Sequence, residues 1–237
     1  MAIAAHYPVK IVSHKWHKGL AAARNTAFKT AKNEFVAALD ADCIISENWL
    51  EELMKEFTDN SIAGVGGKLV ALKEYGIADK WRERHMAQHW GEERMENPRF
   101  LYGSNNVYRK SRIMLAGLYN EIFTNNYEDC DISKRLLQNG FKLIYSPSAK
   151  AMHLRKDSLR SVFTSYHNWC FYERPRPETL GNFFRKTKEN IGLFGYFFRQ
   201  DIRNKDYILA GMDAISLFYH TWLDIKYYIK HIFIRNE

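Results

Sequence analysis

Apolar and polar positions along the first part of the chain switch repeatedly between two periodicities. Val9-Lys10-Ile11-Val12-Ser13 alternates residue by residue and predicts a strand. Gly19 then opens a helix carrying Leu20, Ala23, Ala27 and Ala31. Phe35-Val36-Ala37-Ala38-Leu39 is a continuous apolar run and reads as a short buried strand. Trp49, Leu50, Leu53, Met54 and Phe57 recur at helical spacing, which predicts an amphipathic helix over 47–57. Ala63 to Leu72 predicts another strand, with Gly64, Gly66 and Gly67 permitting close backbone approach. Strand and helix in alternation predict an α/β fold, a mainly parallel sheet flanked by helices.

Beyond Leu72 the pattern loosens. Residues 76–100 are polar, rich in Trp, Arg and His, and predict a helix and loop outside the core. Gly103-Ser104-Asn105-Asn106 leads into a short strand, Val107-Tyr108. A helix over 127–139 ends at Asn139-Gly140, a C-terminal stop signal. Phe141 to Tyr145 and Ala149 to His153 read as two short strands around Ser146-Pro147. From about Ser158 the pattern is helical to the end. The expected division is therefore an α/β domain over 1–157 and a helical extension over 158–237.

Within that extension, Ile208, Met212, Ile215, Tyr219, Trp222, Ile225, Ile229 and Ile232 form one helical stripe over 207–234. Lys226, Lys230 and Arg235 make it basic. Such a helix either lies on an anionic membrane surface or packs against the α/β domain, and the sequence leaves both open. Asp213, Asp224 and Lys226 interrupt it, and no run of about 18 apolar residues marks a membrane span.

Composition narrows the picture a little. The 237 residues are 46% hydrophobic, enough for a sizeable core, and carry a net charge of +8. That balance suits nucleic acid, anionic lipid or nucleotide phosphates. No zinc-finger spacing or RNA-recognition motif accompanies it, so no nucleic-acid partner is expected. Cys43, Cys130 and Cys170 are odd in number and widely spaced, which fits a reducing, cytoplasmic compartment better than a disulfide framework. No secretory leader pattern opens the chain.

The candidate chemistry starts at Asp40-Ala41-Asp42, directly after the apolar run. If the strand continues through them, both carboxylates project to one side. Two carboxylates at the mouth of an α/β sheet suit a hard divalent cation that holds a phosphate-bearing ligand. Two acids capping the next helix is the plainer alternative. Glu128, Asp129 and Asp131 fall in a first helical turn, where acids also meet the helix dipole favourably.

Four segments occur in order: Gly19-Leu20-Ala21-Ala22-Ala23-Arg24-Asn25, Asp40-Ala41-Asp42, Glu128-Asp129-Cys130-Asp131-Ile132-Ser133-Lys134-Arg135-Leu136 before Asn139-Gly140-Phe141, and Tyr145-Ser146-Pro147-Ser148-Ala149 running to His153. Together they resemble the family 2 glycosyltransferases of the GT-A fold, over roughly residues 9–170. The resemblance implies inverting, metal-dependent sugar transfer from a nucleotide-diphospho-sugar donor to a glycan or lipid-linked acceptor, in cell-surface polysaccharide assembly. It implies Asp42 as ligand of Mn²⁺ or Mg²⁺, with Asp40 at the ribose or in the metal shell. It further implies His153 near the metal or diphosphate, and Gly19, Arg24 and Asn25 at the donor. Asp129 becomes the general base and Glu128 an orienting residue. Peripheral contact with the inner face of the cell membrane would suit such an acceptor.

One departure stands out. The family begins with two strands that form the base-binding half of the nucleotide site. Only eight residues precede Val9, so this chain is expected to start at the family's third strand. An inactive remnant serving as an interaction subunit is the alternative that this departure favours. A basic nucleic-acid-binding protein is a second alternative.

Overall fold

The computed structural model describes residues 3–74, 76–124, 126–173 and 176–235, with side chains as far as 233, so the Arg235 side chain lies outside the described residues. The chain forms two compact units. One comprises Met1–Leu69 and His89–Ala151, the other Val70–Gln88 and Met152–Glu237.

In chain order, a short 3₁₀ turn at Ala4–His6 precedes α1 (Leu20–Thr30), β1 (Phe35–Leu39), β2 (Cys43–Ile45), α2 (Trp49–Met54) and β3 (Ile62–Ala71). Next come α3 (Ile77–His85), β4 (Met95–Glu96), β5 (Asn105–Arg109), α4 (Lys110–Leu115) and α5 (Glu128–Gln138). The chain continues through β6 (Lys142–His153), α6 (Leu159–Phe171), α7 (Leu180–Arg203) and α8 (Tyr207–Arg235).

The sheet of the first unit has the order β1-β5-β3-β6-β2, with β4 paired to β6. β5 runs antiparallel to both β1 and β3, so β1 and β3 point the same way. The alternation of strand and helix predicted that common direction. It did not predict that β5, from much later in the chain, would lie between the two. Successive strand residues serve opposite faces. Tyr108 and Leu143 pack with Phe28, Ile113, Ile132 and Leu136 from the helices on one face. Val107 and Ile144 pack with Trp49 and Leu53 of α2 on the other.

Several expectations need correction. No strand forms at 9–13, and Val9, Ile11 and Val12 are exposed. Alternation marks a strand only where a ladder partner exists, and none pairs there among the described residues. β1 is half-exposed rather than buried, because it is the outermost strand of the path. The helix expected over 47–57 is regular only at Trp49–Met54. The two strands expected around Ser146-Pro147 are one, β6. Pro147 removes one ladder donor but its fixed φ suits an extended path.

The second unit has its own core. Trp81 of α3 is fully buried there, edge-on to Phe163, Tyr166 and Phe197 at 5.4–6.3 Å between centroids. Residues 77–85 therefore belong to a core, contrary to the sequence expectation. The helix is mostly charged, and only Ile77, Ala78 and Trp81 form its apolar stripe. Ser158 and Ser161 close a capping box at the start of α6. α7 and α8 pack as a hairpin about the turn at 204–206.

Candidate active site

The site is built around the end of β1. Leu39 pairs with Asn105, which brings the preceding Gly103-Ser104 level with Asp40. The Asp40 amide donates to the Ser104 carbonyl at 3.3 Å, and the Cys43 amide donates back to the Asp40 carbonyl at 3.1 Å. Asp40 and Asp42 thus flank a tight turn, and strand alternation does not govern where they point. Asp40 is half-buried and Asp42 exposed. Burial and then these two carboxylates push the Cys43 thiol up to about 12. The hard donors of the turn are the carboxylate oxygens of Asp40 and Asp42. Oxygen donors of this kind and their negative potential fit Mg²⁺ or Mn²⁺.

Arg24 of α1 forms an ion pair with Glu128, the first residue of α5. Burial opposes the Arg24 charge, but Glu128, Asp129 and Asp40 lie close enough to hold the guanidinium charged. Glu128 is buried, and its Oε2 has no hydrogen-bond partner among the described residues. Burial and neighbouring Asp129 raise its pKa, while Arg24 opposes that rise. Asp129 is held differently. Its Oδ2 accepts from the Gly103 amide at 3.0 Å and its Oδ1 from the Cys130 amide at 2.8 Å. A carboxylate has about four acceptor positions, so two backbone donors orient it and leave capacity for a further proton donor.

Two glycines and one strained residue shape this cluster. A Cβ on Gly103 would run into the Arg24 guanidinium. Gly19 caps α1 at φ 86°, and a Cβ there would lie 2.7 Å from the Thr124 carbonyl oxygen. Tyr127 adopts φ 79° immediately before Glu128, a conformation uncommon outside glycine and worth noting beside reactive groups. Asn25 clamps a loop: its amide donates to the Tyr119 carbonyl and to Glu121, both at 2.9 Å, and accepts from the Tyr119 amide at 2.8 Å. A groove of about 980 Å³ runs past Gly19 and Thr124 and is lined by Lys10, Lys15, Lys18 and Lys32.

Of the residues singled out from sequence, Arg24, Asp40, Glu128 and Asp129 share one electrostatic neighbourhood in the first unit. Asp42 stands on the adjoining turn, Asn25 braces a loop, and Gly19 starts α1. His153 is the last residue of β6 and is counted with the second unit, where its carbonyl accepts from the Leu72 amide at 3.0 Å. Asn105 is a buried strut. It donates to the Lys68 and Ala149 carbonyls and accepts from Trp49 Nε1 at 2.7 Å. Gly103 and Tyr127 were missed as site residues. Gly103 had a visible signal, a glycine just before a strand, but its partner Arg24 lies far away in sequence.

The model of the family described as Glycosyl transferase family 2 matches residues 2–123. The chain belongs to this family. Among curated relatives of this family 2 chain, the pre-mycofactocin glycosyltransferase of Mycobacterium tuberculosis is 30% identical over 164 residues, covering 67% of this chain and 35% of the relative. The O-antigen chain rhamnosyltransferase WbaN of Salmonella anatum is 26% identical over 168 residues, covering 65% and 52% respectively. The chain thus spans between about a third and a half of these relatives. A solved mannosyltransferase, PcManGT from Pyrobaculum calidifontis, in complex with GDP-Man and Mn²⁺, superposes with a TM-score of 0.53 at 14% identity, over 91% of this chain and 70% of that one. The family 2 chain has the GT-A fold, with a mixed sheet, flanking helices and a C-terminal helical region.

Proposed function

We propose that this family 2 chain carries the acceptor-side and phosphate-side chemistry of a glycosyltransferase that moves a sugar, with inversion, from a nucleotide-diphospho-sugar to an acceptor hydroxyl. The observation that carries this reading is the meeting of Asp40, Arg24, Glu128 and Asp129 about Gly103-Ser104. Asp129 accepts the proton of the attacking hydroxyl. Two backbone amides fix its orientation. Glu128 is the poorer base, since Arg24 already occupies one of its oxygens. Arg24 acts as a positioning residue that ties the start of α5 to the Gly103 turn. Asp42 would hold a divalent cation, with Asp40 beside it, and that cation supplies charge neutralisation for the departing nucleoside diphosphate. The mannosyltransferase of the same fold, solved with GDP-Man and Mn²⁺, supports this choice of ligand and metal.

The names of the curated relatives, a pre-mycofactocin transferase and an O-antigen transferase, support an acceptor in glycan or glycosylated-metabolite assembly. The test is turnover of parent and Asp129→Asn protein against a panel of nucleotide-sugars, with donor affinity measured alongside. Loss of turnover at unchanged donor affinity is the expected result. Loss of donor binding with Asp129→Asn would refute the base assignment.

A second reading has one observation in its favour. Trp16 and the segment from Val9 to Val12 expose apolar side chains beside α1. A non-catalytic interaction module would present such a surface. It would bind a protein partner while showing no metal-dependent affinity for any nucleoside diphosphate.

A further inference from the structure

The α7–α8 hairpin buries charged groups within its core and leaves large apolar side chains exposed. In a helix pair surrounded by water, apolar stripes face each other and polar residues face outward. Here Phe194, Phe197, Leu209 and Met212 are buried in that way, but charged and polar side chains are buried beside them. Asp224 of α8 meets Lys186 at 3.1 Å, His167 at 3.0 Å and the Asn190 amide at 3.0 Å. Asp201 of α7 meets Arg84 at 2.6 Å and His85 at 3.0 Å, and Asp213 of α8 accepts from Trp81 Nε1 at 2.7 Å. The outward face carries large apolar side chains as well. On α8 it carries Ile208, Ile215, Phe218, Trp222, Ile229 and Phe233, with Phe218 75% exposed. On α7 it carries Phe184, Ile191 and Phe198. The stripe read from sequence is largely this exposed face, with Met212 and Tyr219 the members that turn inward.

Charge is sorted strictly. Arg185, Lys188, Arg199, Arg203, Lys226 and Lys230 are exposed. Asp201, Asp213 and Asp224 are all buried, and Glu189 is half-buried. Among the described residues of the two helices, every fully exposed charge is therefore positive.

We propose that the outer face of α7–α8 docks flat on an anionic lipid bilayer. No helix among the described residues is long and apolar enough to cross a membrane, so the face lies in the interfacial layer. Apolar and aromatic side chains enter the acyl boundary, and the basic side chains reach up to the headgroups. Trp222 with the Lys226 ammonium 4.4 Å over its ring is an amphipathic anchor of the kind that favours this depth. The charge pattern selects this occupant. A second copy seated face to face would set the basic residues against themselves, whereas phosphate headgroups complement them. The buried ion pairs hold the helices in register, so docking brings no unpaired charge out of water.

The test uses the full chain and sedimentation with vesicles of phosphatidylcholine, with and without phosphatidylglycerol, and it reads binding rather than catalysis. Binding to the phosphatidylglycerol vesicles alone, weakening with salt, is expected. Lys226→Gln and Lys230→Gln should each weaken it about fivefold, and these surface changes leave the core untouched. Phe218→Asp should abolish it with the circular dichroism spectrum and Tm preserved. The proposal is overturned if the parent stays in the supernatant with phosphatidylglycerol vesicles. It is equally overturned if these variants bind as the parent does, or if light scattering shows a dimer that Phe218→Asp dissociates while vesicle binding is absent.

Discussion

Asp129 and Glu128 are adjacent acids with different surroundings, and that difference underlies the roles proposed for them. Glu128 is buried against a guanidinium, while Asp129 is oriented by two amides. Asp129→Asn should therefore lower turnover by roughly a hundredfold or more, the usual worth of a general base, with donor affinity nearly unchanged. Steady-state kinetics alongside donor titration would show it. Gly103 offers a complementary probe. Gly103→Ala places a methyl group against Arg24, so the Arg24–Glu128 pair must shift. Overpacking of this kind destabilises by about 1–3 kcal/mol. A denaturant midpoint unchanged from the parent would show that Arg24 is free to move aside.

At the scale of elements, Asn105 ties four of them together. It links β5 to Trp49 of α2 and to the backbones of β3 and β6. Asn105→Ala leaves a buried indole N–H and two buried carbonyls short of a partner, and should lower stability by at least about 2 kcal/mol, read from chemical denaturation. The interior of the α7–α8 hairpin makes a pH prediction. Burial, with Asp201 nearby, pushes the Asp213 carboxyl up to about 7 from an ordinary 3.8. Across that window the native state keeps a proton that the unfolded chain releases, so its contribution to stability falls as pH rises and levels off above about 7. His220 works the other way. Burial pushes it down to about 3 from 6.5, so its contribution falls as pH drops through that range. Asp213→Asn removes only the first effect. The Tm of this variant relative to the parent should rise between pH 5 and pH 8, and a difference independent of pH would contradict the assignment.

Elements with strong local periodicity were legible in the sequence, and those defined by distant partners were not. α1, α5 and β3 lie close to where their apolar spacing put them. The strand expected at Val9 did not form, because alternation cannot supply a ladder partner. The place of β5 between β1 and β3 was invisible for the same reason. Trp81 looked like part of an outer helix because its core is assembled from α6, α7 and α8, far along the chain. At the site, acids beside a strand end and a helix start were readable from residue type and order. The Gly103–Arg24 contact and the left-handed Tyr127 were not, since both depend on segments meeting in space.

The molecule as a whole has a GT-A sheet bearing a carboxylate turn and a helical unit with an exposed apolar and basic face. The central claim concerns the sheet: that the turn at Asp40–Asp42 binds the diphosphate of a nucleotide donor through a divalent cation. Isothermal titration of UDP and GDP into the full chain, with and without Mn²⁺, tests it most directly. The account predicts that one nucleotide binds only when Mn²⁺ is present. It predicts that Asp42→Asn abolishes this binding with Tm unchanged, and that Asp129→Asn retains it. Nucleotide binding that ignores Mn²⁺, or an Asp42→Asn variant that binds metal and nucleotide as tightly as the parent, would contradict it.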